Sequence, residues 1–130
     1  MNLSSKVATF ISIALVASTL SAQSVNIPPD YKLIKGTGFS QKNQHAIDIN
    51  VDNIDNPTKG YVSVANGFCL VSKKEVTIKK TLTGFTFFTD IGDRCKESNL
   101  SLIGPDGDGW YTGTWQGLAG TSSLNMRIIK

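Results

Sequence analysis

The sequence predicts an all-β protein, a small antiparallel sandwich or barrel of about seven to nine short strands. Three observations predict it. Apolar and polar residues alternate in short runs, as in Ile47, Ile49 and Val51 against Asp48, Asn50 and Asp52. Turn signals rich in glycine, proline and asparagine separate those runs. No segment of the exported part has the length and period of a convincing helix. Two cysteines, Cys69 and Cys95, add a candidate disulfide staple.

Residues 1–22 have the form of a secretory signal peptide. Lys6 is their only charge, and an apolar run from Val7 to Val16 is too short to span a bilayer. Mostly small residues, Ser18 to Ala22, lead up to Ala22 as the expected last residue before cleavage, with Ser21 as the alternative because Leu20 is larger than the site prefers. The expected product is secreted or periplasmic, a single β-rich domain of residues 23–130. Without Lys6, twelve Lys+Arg face ten Asp+Glu, a balance too small to argue for nucleic acid or for an anionic membrane. No later segment suits membrane insertion. In an oxidising compartment, an even cysteine count favours a disulfide between Cys69 and Cys95. Closing a loop of about 27 residues contributes roughly 3–4 kcal/mol on chain-entropy grounds.

Taken in order, Ile27-Pro28-Pro29 favours an extended lead-in and opposes a helix. Tyr31 to Ile34 is a short first strand that Gly36 and Gly38 are expected to end. His45 to Val51 is a half-buried strand, and Asn56-Pro57 with Gly60 marks the turn after it. Asn66-Gly67 between apolar runs predicts a two-residue hairpin turn. That register pairs Val64 with Cys69 and Val62 with Val71. Residues 72–75 read as a charged turn. Val76 and Ile78 then begin a further strand, and Gly84 suggests a bulge before Phe85, Phe87 and Phe88. Phe85 and Phe87 are expected inside, with Phe88 on the other face. Residues 90–96 form a polar loop, Leu100 to Ile103 a strand, and Leu124, Met126 and Ile128 alternate in a final strand.

Residues 104–120, GPDGDGWYTGTWQGLAG, hold the densest aromatic strand. Pro105-Asp106-Gly107 supplies turn chemistry. Alternation puts Tyr111, Gly113 and Trp115 on one face and Trp110, Thr112 and Thr114 on the other. Gly113 leaves a gap between two rings, to be filled by a core side chain or by a stacked ligand.

Candidate chemistry is sparse. His45 is the only histidine, and a hydrolase would have to rest on it near an acidic group such as Asp48; its plainer reading is a solvated strand start. Asp106-Gly107-Asp108-Gly109 has the acidic opening of a calcium loop but carries Trp115 where the closing glutamate belongs, so it reads as a solvated turn. Lys73, Lys74, Lys79 and Lys80 suit exposed edge strands. Asn99-Leu100-Ser101 fits a glycosylation acceptor. The sequence therefore assigns no catalytic residue, no metal ligands and no cofactor. It points to a non-enzymatic binding protein for an extracellular or periplasmic protein or glycan, such as an inhibitor, an effector or a recognition module. The contact residues expected are Trp110, Tyr111, Trp115, Asp106 and Asp108, on loops carried by a rigid β scaffold. The alternative is a small barrel that binds an apolar or aromatic molecule in its interior.

Overall fold

The computed structural model describes residues 25–40, 44–65, 70–89, 98–117 and 120–129. They form nine antiparallel strands: β1 (Lys32–Phe39), β2 (Gln44–Val51), β3 (Lys59–Ala65), β4 (Leu70–Thr77), β5 (Lys79–Lys80), β6 (Gly84–Thr89), β7 (Ser98–Ile103), β8 (Trp110–Gly117) and β9 (Gly120–Ile129). No helix occurs among the described residues. The strand order is β4-β3-β2-β1-β9-β8-β7-β6-β5, two meanders joined where the first strand pairs with the last.

The sheet curls into a nearly closed barrel. β4 and β5, at opposite ends of the strand order, are consecutive in the chain. The Ile78 amide donates to the Thr58 carbonyl, extending the β3 ladder, and the next residue, Lys79, pairs with Thr86 of β6. One extended stretch of chain, β4 and β5 joined through Ile78, thus links the two edges of the sheet, and β4 itself pairs along its length with β3 alone.

The interior follows from side-chain alternation. Ile47, Ile49 and Val51 of β2 point inward, as do Val62 and Val64 of β3, Phe85 and Phe87 of β6, Leu100 and Leu102 of β7, and Leu124 and Met126 of β9. Each large apolar side chain removed from water contributes roughly 1.5–3 kcal/mol. Ile54, Val71 and Ile128 pack against this core from its margins.

Several expectations change. The first strand runs through Gly36 and Gly38 to Phe39 because both glycines lie where a neighbouring strand or side chain crosses the backbone closely. A Cβ at Gly36 would sit 2.1 Å from the Asn125 carbonyl oxygen, so the glycine permits pairing with β9 instead of ending the strand. The two-residue hairpin at Asn66-Gly67 is also corrected. Ala65 pairs with Leu70 and Val64 with Val71, which leaves four residues in the connection. Residues 72–75 belong to β4 and form no turn. Gly84 carries no bulge; it closes a tight turn in which Thr81 N donates to the Gly84 carbonyl and Gly84 N to the Thr81 hydroxyl. Cys69, Cys95 and the polar loop 90–96 lie outside the described residues, as does the signal segment.

Candidate functional site

Antiparallel connectivity sorts the connections to two ends of the barrel. At one end lie residues 52–58 between β2 and β3, 81–83 between β5 and β6, and 104–109 between β7 and β8. Each is internally ordered by short-range hydrogen bonds. The Asp52 carboxylate accepts from Thr58 N, Thr58 Oγ1 and Lys59 N. Burial works against its charge, but these bonds outweigh it and hold the carboxyl below its usual range. Asp106 plays the same part in the third connection. Its Oδ1 accepts from Asp108 N at 2.8 Å and Trp110 N at 2.9 Å, and those backbone bonds lower its pKa. Gly109, with φ of 86°, adopts the left-handed conformation that lets its amide donate back to the Asp106 carbonyl.

Between the three connections opens a cleft of about 640 Å³. Leu82, Ile103 and Trp110 contribute exposed apolar surface to it, while Asp55, Lys80 and Thr112 contribute polar groups. Leu82 is fully exposed at the tip of the β5–β6 turn. Lys80 Nζ donates to the Asp55 carbonyl at 2.8 Å, tying that turn to the β2–β3 connection. Trp110 is 37% exposed. Its ring is held from one side by Arg127, whose guanidinium carbon lies 5.3 Å from the ring centroid; the two residues are partners across β8 and β9. Arg127 Nε also donates to the Asp108 carbonyl at 3.3 Å, so the ring and the 104–109 connection are positioned together.

The residues singled out from the sequence do not all converge here. Trp110 lies on the outer face, as alternation requires. Tyr111 and Trp115 point inward and are 1% and 8% exposed. Tyr111 meets Phe85 edge-on at 5.6 Å, and burial pushes its phenol up to about 12. The expected gap at Gly113 does not exist. A Cβ there would lie 1.8 Å from the Ser101 carbonyl oxygen, because the backbone of β7 fills the space. Asp106 spends one carboxylate oxygen on the turn, while Asp108 is exposed beside it. Among the described residues no cluster of three or more His, Cys, Asp or Glu has metal-holding geometry. Leu82, Ile103 and Asp55 were not expected at a site, and Lys80 was expected only as an exposed edge-strand lysine. Ile103 had a signal: it breaks the inward parity of Leu100 and Leu102. Leu82 had none beyond standing as the one apolar residue between two threonines.

His45 is corrected most. It is no solvated strand start but an inward side chain, 6% exposed. Its ring meets Trp115 edge-on at 5.4 Å and lies across Gly38, where a Cβ would stand 2.5 Å from Nε2. Asp48, three residues on, projects from the opposite face and pairs with Lys35 Nζ at 3.2 Å. A histidine–carboxylate pair of these two is excluded by strand alternation. Burial lowers the imidazole pKa. Comparison with known protein families, with curated proteins and with solved structures finds no match to this chain.

Proposed function

We propose that this chain is an exported, non-enzymatic binding protein, acting outside the cytoplasm or in a periplasm, that recognises a partner protein through the cleft end of its barrel. The observation that carries the reading is the exposed apolar rim of Leu82, Ile103 and Trp110. A leucine fully exposed on a tight, tethered turn has little to contribute to folding and is shaped to enter a pocket on another protein. The rim is held by short-range hydrogen bonds and by Arg127, so little order is lost on docking. A glycan is the second reading, favoured by one arrangement: a half-open indole beside Thr112 and Asp106, which joins a stacking face to hydrogen-bonding groups. A disulfide between Cys69 and Cys95, with cleavage after Ala22, completes the proposal and is checked by intact mass of the exported product with and without reductant.

The two readings separate by mutation. Binding is measured against polysaccharide arrays and against proteins cross-linked to the exported chain in its native medium. With a protein partner, Leu82→Ala and Trp110→Ala each weaken binding about tenfold or more, the usual cost of truncating an anchor. With a glycan, Trp110→Ala alone does so. A confirmed partner whose affinity neither substitution alters, with the fold intact, removes this surface from the site.

A further inference from the structure

The opposite end of the barrel is built differently. Polar side chains are buried among its inward set, whereas the layers beneath are aliphatic and aromatic. His45 of β2, Thr89 of β6 and Ser98 of β7 are all buried there. Thr89 and Ser98 are partners across β6 and β7. Ser98 Oγ leans over Gly117, 2.7 Å from where a Cβ would stand, and the indole Nε1 of Trp115 is 3.6 Å from the same point. The other side of Trp115 meets His45. Trp115 therefore connects the histidine to the Thr89–Ser98 pair, and Gly38 and Gly117 provide the room in which these side chains lie.

Two of these side chains are unsatisfied. Neither nitrogen of His45, nor the hydroxyl of Thr89, meets a hydrogen-bond partner among the described residues, and the two residues are 6% and 3% exposed. Buried polar groups are almost always paired, and leaving one unpaired is unfavourable in the free protein. His45 lies against the Trp115 ring and Thr89 is paired across the sheet with Ser98, which neighbours the same indole, so the unpaired atoms flank one end of the barrel and a ligand seated there could partner them. A neutral imidazole presents one donor and one acceptor, and a hydroxyl presents both. No lysine, arginine or carboxylate is buried among the described residues at this end to balance a charged guest.

We infer that this end of the barrel binds a small, uncharged aromatic compound carrying a hydroxyl or carbonyl group, seated against Trp115 and hydrogen-bonded to His45 and Thr89. The site is separate from the cleft and stands independently of the partner protein proposed there.

The test uses the mature chain with phenol and 4-hydroxybenzamide as probes. His45 is the only histidine, so its ring nitrogens give an unambiguous ¹⁵N signal, and Trp110→Phe leaves Trp115 as the sole tryptophan, excited selectively at the red edge of indole absorption. At least one probe is expected to shift the His45 ring resonances and the Trp115 emission with saturation. Thr89→Val and His45→Phe are expected to weaken that binding about tenfold or more while leaving the melting temperature unchanged or higher, since each removes polar atoms that lack partners. Leu82→Ala is expected to leave probe binding unaltered. Three outcomes overturn the inference: no saturable shift with either probe, equal probe affinity in Thr89→Val, or a melting temperature several degrees lower in both variants, which would make the polar groups structural.

Discussion

An imidazole enclosed between Trp115 and the backbone of Gly38 is shifted towards its neutral form, because burial penalises its charged form. Its folded pKa lies below the ordinary 6.5, so the unfolded chain takes up the proton first as pH falls. Its titration leaves stability unaffected above pH 6.5 and lowers it on acidification from there towards the folded value. The wild type is therefore expected to lose stability relative to His45→Phe across that window, read from urea denaturation at a series of pH values. Parallel curves would mean that the ring titrates as freely in the folded chain as in the unfolded one. Asp106 behaves in the opposite sense at lower pH. Its backbone hydrogen bonds depress the carboxyl, so its contribution is present above the usual 3.8 and disappears as pH falls through the folded value.

At the scale of an element, β4 carries the most instructive irregularity. Val62 pairs with Lys74 and Val64 with Val71, so three steps on β4 oppose two on β3. Ser72 and Lys73 share one partner, Ser63, whose hydroxyl accepts from Lys73 N at 2.8 Å. Without the extra residue Val71 and Val76, five apart, would face opposite sides. The bulge brings both towards the core, together with Ile78. The conformational cost falls on Lys73, whose φ of 53° is left-handed and unfavourable for a side-chain-bearing residue. Lys73→Gly is expected to keep or raise stability. Lys73→Val, β-branched at the same φ, is expected to lower it by about 1–2 kcal/mol. Comparing the two by denaturant titration isolates backbone strain from the loss of the lysine head group.

For the whole molecule, closure rests on the few residues where β4 becomes β5. Ile78 is buried, extends one ladder through its amide and immediately precedes the other. Ile78→Ala is expected to destabilise by about 2–5 kcal/mol. Its distinguishing effect is spatial: amide exchange should quicken in both β3 and β6, each one strand in from an opposite end of the strand order. Faster exchange in β3 alone would show that the seam contributes little to the barrel. The antiparallel strand directions set two surfaces apart, a rim of Leu82, Ile103 and Trp110 at one end and the His45–Trp115–Thr89 group at the other.

Much of this was legible beforehand because strand alternation is a local property. The inward set of β2, the opposed faces of Trp110 and Tyr111, the core positions of Phe85 and Phe87, and the outward turn of Phe88 all follow from period two. The same rule carried Asp48 away from His45, had it been applied to that pair. By itself the sequence determined an all-β chain, its approximate strand count and which residues of each strand share a face, since these depend on neighbours along the chain. Only the tertiary structure decided that β1 meets β9 and that one strand closes the barrel. It also decided that Gly113 faces a carbonyl instead of a gap, that His45 is buried under Trp115, and that Leu82 stands clear of the surface. Those outcomes depend on which strands approach across the barrel and how closely, a matter of packing between residues far apart in the chain.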